Sequence, residues 1–162
     1  MAHVKAAIAA AHYAVSIDAG GHTIVSDEPK AKGGENAGPA PYELLLAALA
    51  ACTAITLRKY AERKHWDLRA GHVDLQYLRD GEHERILRKL RLEGDMTDEQ
   101  RARFADIAER TPVTLTLKRG LSISTELVPP LASARHAAEV DARLDEALAE
   151  SFPACDSQRV TP

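Results

Sequence analysis

Residues 41–64, PYELLLAALAACTAITLRKYAERK, constrain the fold more than any other stretch of the chain. Pro41 suits a first helical position, where its missing donor is not needed. Glu43, in the same turn, complements the positive end of the helix dipole. No charged residue occurs from Leu44 to Leu57, a run rich in the strong helix formers leucine and alanine. A helix apolar on every side belongs in an interior, so other elements must cover it. Its alanines (Ala47, Ala48, Ala50, Ala51 and Ala54) leave it thin enough for another backbone to approach closely. A chain of 162 residues has few elements to spare for that cover, so mutual burial in a homodimer is one expected solution. The uncharged run is shorter than the ~20 residues of a membrane span and basic residues follow it at once, so no membrane insertion is expected.

The segments around this helix read as an α+β fold. Tyr13, Val15 and Ile17 alternate with small or polar residues, which is a strand with one buried face. Gly20-Gly21 is a hairpin signal, and His22 to Ser26 is the returning strand. Residues 27–41 hold three prolines and three glycines, a long loop with neither P-loop nor dinucleotide spacing. After the helix ends near His65, Val73, Leu75 and Tyr77 alternate, Asp80-Gly81 signals a tight turn, and Ile86, Leu90 and Leu92 share one face of the next strand. Thr97 and Gln100 form a capping box for a helix buried through Phe104, Ile107 and Ala108, which ends by Thr111-Pro112. VTLTLKRG suits either a helical turn or a strand. Leu121, Ile123, Thr125 and Leu127 alternate as a last strand. The predicted domain therefore spans 1–130, with an amphipathic helix over 134–150 and a flexible tail in the remainder, 131–162. Hairpins joined by helices, without βαβ crossovers, make this α+β.

Composition narrows the function. A net charge of -3 favours neither nucleic acid nor an anionic membrane as partner. The cations Arg85, Arg88, Lys89 and Arg91 lack interleaved aromatics for base stacking, so they read as a solvated sheet face. Two cysteines do not make a disulfide scaffold and fit a reducing, cytoplasmic setting. The seven histidines show no ligand spacing, so neither a metal nor another cofactor is expected. The alanine-rich run after Lys5 is interrupted by His12 and does not read as a signal peptide.

Cys52 is then the chemical candidate. A cysteine in an apolar helix is commonly a small hydrophobe, and a reactive thiol needs a cation, a base or a helix N-terminus beside it. Glu43 lies nine positions earlier, on the opposite face and ~13 Å away along the axis. Any activating partner must come from another segment or another subunit. Cys155 is either a mobile second thiol or a free cysteine in a polar tail.

The pattern DEP…GG…GPAPYELLLAALAACTAITLRKYAERK, followed by RLEGDMTDEQRARFADIAERTPVTLTLKRGLSISTEL, resembles the OsmC/Ohr family over roughly residues 12–128. The resemblance implies an intertwined homodimer, with antiparallel sheets around a long buried central helix. It implies a cytoplasmic, thiol-dependent peroxidase acting on organic hydroperoxides, with Cys52 as the attacking thiolate and an external thiol as reductant. The family's second cysteine falls at Thr111, which cannot form a disulfide. The peroxidases' helix-start glutamate falls at Tyr42, and Glu43 matches a neighbouring glutamate of the broader pattern. No arginine precedes Arg58, so Lys30, Lys32 or His22 is left to stand in for the family's N-terminal arginine. The expectation is a one-cysteine hydroperoxide reductase. The alternative is a non-catalytic domain that binds a small apolar ligand, with Cys52 a packed core thiol. The ending ALAESFPACDSQRVTP resembles a Glu-Ser-Phe-Pro-Ala-Ser-Asp-Pro terminus of small bacterial proteins, with Cys155 in place of a serine.

Overall fold

The computed structural model describes residues 2–8 and 12–129; the expected helix over 134–150 and Cys155 lie outside them. Contacts divide the chain into two units, 1–121 and 122–162. The first unit opens with β1 (Val4–Ile8), β2 (Val15–Ala19) and β3 (His22–Ser26), an antiparallel sheet in the order β1-β2-β3. The Gly20-Gly21 turn forms as expected, with φ of 63° and 85°, the left-handed values that a two-residue hairpin needs and glycine supplies. β1 was not anticipated, because the run VKAAI shows no alternation; all five of its residues are exposed.

The loop over 27–40 is organised by one carboxylate. Asp27 is 3% exposed, and its two oxygens accept hydrogen bonds from the backbone N–H groups of Glu28, Glu35 and Ala37 at 2.8–3.0 Å. Ser26 Oγ donates to Pro39 O at 2.8 Å and ties down the far end. The loop passes so close to β3 that a Cβ on Gly38 would overlap the Val25 carbonyl, so only glycine fits there. The Ala37 N–H, opposed by burial and joined by those of Glu35 and Glu28, holds the Asp27 carboxyl below its usual range. A carboxyl depressed by folding contributes stability above its unfolded value of 3.8, and that stability is lost as pH falls through the folded value. Asp27→Asn is therefore expected to lower the thermal midpoint at neutral pH, with the gap to the parent narrowing as the pH falls below 3.8. Midpoints measured across that range check this; a gap independent of pH would assign the loop's order to other contacts.

The central helix, α1, runs over Pro41–Lys64 and closes at His65, whose φ of 55° is left-handed. β4 (Ala70–Asp80) and β5 (His83–Glu93) form an antiparallel hairpin. Its register pairs Asp80 with His83, so the turn is Gly81-Glu82, one residue beyond the Asp80-Gly81 expected. α2 (Asp98–Ala108) starts at the expected cap: Gln100 N donates to Thr97 Oγ1 at 3.3 Å and Thr97 N to Gln100 Oε1 at 3.0 Å. The ambiguous VTLTLKR segment is a helix, α3 (Pro112–Arg119), because Pro112 opens it and Thr111 supplies an extended N-cap. The core is a cluster of Leu57, Ala61, Leu68 and Phe104, with Tyr60, Trp66, Leu90 and Leu92 against it.

Two expectations are corrected and one is met in part. Within this chain α1 is buried along one stripe, Leu49, Thr53, Leu57 and Ala61, while Leu45 and Ile55 are 36% and 55% exposed. β4, α2 and α3 cover one face of a helix whose apolar residues occupy all of them. Arg88 does not belong to a solvated face. It shares strand parity with Ile86, Leu90 and Leu92 and its side chain is 10% exposed. The last strand is absent: residues 121–129 are irregular, with Leu121 74%, Ile123 89% and Leu127 97% exposed. Alternation marks a face for a strand, but a strand also needs a ladder of partners for its backbone groups.

Candidate functional site

Cys52 sits mid-way along α1 as a free, half-buried thiol. At ~100° per residue it is one step round the helix from the buried Thr53. On its other flank lie the exposed Ala48, Ala51 and Ile55. The thiol thus borders both the covered and the uncovered side of α1, neither in the core nor free in solvent.

Beside it, on the covered side, is a buried polar network. Thr53 is 0% exposed and its hydroxyl donates to Leu49 O at 2.8 Å. Arg88, reaching in from β5, donates through Nη1 to Thr53 Oγ1 and to Thr114 Oγ1, both at 3.1 Å. Thr114 donates its one proton to Ala108 O at 3.1 Å, so Thr111 is the donor in the 2.7 Å Thr111–Thr114 hydroxyl pair. Each hydroxyl has its partners, which a buried network must have to be tolerated. Arg88 Nη2 donates to Glu109 Oε1 at 2.9 Å, and Lys118 Nζ binds Glu109 Oε2 at 2.5 Å. Lys118 and then Arg88 hold the Glu109 carboxyl below its usual range.

The three residues singled out from sequence are not gathered at one point. Thr111, completely buried at the N-cap of α3, is linked to α1 through Thr114, Arg88 and Thr53. Glu43 is exposed and its Oε2 accepts the Ala40 N–H at 2.9 Å, which caps the helix. Tyr42 stacks on Tyr77 with ring centroids 4.4 Å apart. Of the suggested stand-ins for the missing arginine, Lys32 pairs with Glu28 at 3.6 Å, and both Lys30 and His22 are exposed. The cation the sequence reading missed is Arg88. Its signal was parity: it falls on the same strand face as Ile86, Leu90 and Leu92, where a charge must find buried partners.

A cleft of about 630 Å³ opens along this network, with Leu45 and Leu49 from α1, Leu87 and Arg88 from β5 and Leu117 and Lys118 from α3 among its lining. Tyr77 contributes a phenol oxygen that is buried without a hydrogen-bond partner. The Glu84 carboxylate, then burial and Tyr42, push this phenol above its ordinary range. Among the described residues no group of three His, Cys, Asp or Glu side chains is placed to hold a metal.

A family model described as OsmC-like protein matches residues 33–126. No curated protein matches the chain. Among solved structures, an OsmC like protein from Mycoplasma pneumoniae is 20% identical, with a TM-score of 0.64 over 73% of this chain and 87% of that one. An organic hydroperoxide resistance protein OsmC from Legionella pneumophila is 18% identical, with a TM-score of 0.56 over 73% and 89%. The organic hydroperoxide resistance protein OhrB of Bacillus subtilis is 20% identical, with a TM-score of 0.53 over 79% and 98%. At these identities the likeness is one of fold.

Proposed function

The chain belongs to the OsmC-like protein family, and from that premise we propose that it is a thiol-dependent peroxidase reducing organic hydroperoxides through Cys52. The observation that carries this reading is the position of Cys52: a free, half-buried thiol in the middle of α1, at the border of an uncovered apolar face. An apolar approach favours an organic hydroperoxide over hydrogen peroxide. The names of the Legionella and Bacillus proteins, which state organic hydroperoxide resistance for those proteins, point the same way.

The Cys52 thiolate attacks the terminal peroxide oxygen and the O–O bond breaks. Sulfur is oxidised to a sulfenic acid, and the departing alkoxide takes a proton to leave as the alcohol. One external thiol condenses with the sulfenic acid, releasing water and leaving a mixed disulfide. A second thiol exchanges with it, restores Cys52 and departs as the external disulfide. Thr111, buried and bonded to the Thr114 hydroxyl, leaves no second cysteine at the family position, so the reductant comes from outside. Glu43 caps the helix, and no catalytic step is assigned to it.

The same reading includes a homodimer in the cytoplasm. Ile55 is 55% exposed, and beside it an apolar groove of about 450 Å³ is lined by Leu57, Leu68, Val73 and Leu92. α1 has a span's length, 24 residues, but Arg58, Lys59, Glu62, Arg63 and Lys64 crowd its last two turns. Its uncharged part reaches only ~21 Å, short of a ~30 Å bilayer core. A second copy therefore suits this face better than lipid. Ile55→Glu is expected to turn a dimer into a monomer, measured by sedimentation; a parent chain that is itself monomeric at micromolar concentration removes the dimer from the reading. The chemistry is tested by mass spectrometry after one equivalent of cumene hydroperoxide. A single added oxygen at Cys52 is expected, and an unmodified Cys52 overturns the proposal.

A further inference from the structure

The cleft beside α1 holds an asymmetry that the peroxidase reading does not use. Arg88 is fixed from within the fold: its side chain is 10% exposed and the Thr53 and Thr114 hydroxyls hold its Nη1. Its anion is not fixed in the same way. Glu109 is 56% exposed, stands at the C-cap of α2, and reaches back to Arg88 with one oxygen and to Lys118 with the other. A buried guanidinium pre-oriented by the protein, whose Nη2 meets one oxygen of a solvent-exposed carboxylate while Lys118 Nζ meets the other, makes a two-cation fork occupied by an internal ligand. Around it the cleft offers apolar wall, with Leu45, Leu87 and Leu117 36%, 44% and 37% exposed, beside the polar side chains of Tyr77, Glu84 and Arg85. Its volume of about 630 Å³ is that of a small-molecule site.

The geometry points to a binding site for an amphipathic carboxylate, whose head replaces Glu109 on Arg88 and Lys118 and whose hydrocarbon tail covers the leucines of the cleft. The charge complementarity is already displayed, since a carboxylate sits in the fork at 2.9 Å from Arg88 and 2.5 Å from Lys118. The depressed Glu109 carboxyl agrees with it: the two cations favour an ionised acid at that point. Glu109 then acts as a built-in competitor that occupies the fork when no ligand is present, and its single charge leaves the two cations with a net charge of +1. The site stands without the Cys52 chemistry, and its failure would leave that chemistry untouched.

The test is calorimetric titration of the full chain with sodium decanoate and, separately, with decan-1-ol, which carries the same tail on a neutral head. Decanoate is expected to bind about tenfold or more tightly than decanol, the difference being the charge-assisted bonds to the fork. Glu109→Gln removes the competing charge and is expected to tighten decanoate several-fold while leaving decanol unchanged. Arg88→Gln is expected to erase the preference for decanoate. If that variant fails to fold, judged by circular dichroism, Lys118→Gln reads the same preference with a smaller loss. Equal affinity for the two probes overturns the site, as does a Glu109→Gln variant that binds decanoate no better than the parent. A cleft closed to both probes overturns it as well, and marks the groove as one filled by a second copy.

Discussion

Phe104→Ala is expected to lower the stability of the fold by about 3–5 kcal/mol, the cost of removing a large aromatic from a filled core. Phe104 is 0% exposed. Its ring meets Trp66 edge-on at 5.3 Å and Tyr60 at 6.2 Å, and Leu57, Ala61 and Leu68 close the cluster around it. These partners come from α1 and from the turn after it, and Phe104 brings α2 to them, so it is the side chain whose loss opens the largest void. The edge-to-face pairs add about 0.5–1.5 kcal/mol each beyond the area buried, and neither survives the truncation. The buried apolar set among the described residues is small: Leu49, Leu57, Ala61, Leu68, Phe104 and Ala108. There is little redundancy to absorb the change. Denaturant unfolding of parent and variant checks it; a loss below about 1 kcal/mol, the level of an ordinary substitution, would show that the cluster does not hold the unit together.

Cys52→Ser is expected to reduce hydroperoxide turnover to the uncatalysed rate without unfolding the chain. The thiolate is the nucleophile in peroxide reduction, and a serine hydroxyl, with no adjacent base to take its proton, does not replace it. The side chain is half-buried and the exchange changes little volume, so the fold is expected to survive. The companion variant Cys155→Ser is expected to leave the first turnover unchanged, because sulfenic acid formation requires one sulfur only. Stopped-flow measurement of the first oxidation, with parent and both variants, separates the two thiols. Turnover retained in Cys52→Ser would leave an apolar binding domain as the better account of α1.

Much of the local structure was written in short stretches of sequence. Pro41, the Thr97–Gln100 box and the Gly20-Gly21 turn act on their own backbone neighbours, so their meaning does not depend on distant residues. Arg88 illustrates the opposite case. Its parity with Ile86, Leu90 and Leu92 was visible, but its partners Thr53, Thr114 and Glu109 lie 35, 26 and 21 positions away. Until those partners were placed, a charged residue on β5 read as a solvated one. Asp27 was equally hidden: a carboxylate in a loop carries no sign that three N–H groups will converge on it.

The sequence by itself determined that α1 exists, where it begins and ends, that two hairpins flank it, and that Cys52 lies at its centre with no activating group on its own helix. These follow from periodicity, caps and turn residues, all of which act over a few positions. Only the tertiary structure decided which side of α1 is covered, that Thr111 joins a hydroxyl network reaching Thr53, and that Arg88 closes that network against Glu109. It also left residues 121–129 without a strand partner. A helix apolar on all sides can be buried along any stripe, and an alternating segment can pair only where a neighbouring strand is offered. Both choices are made by contacts between segments far apart in the chain.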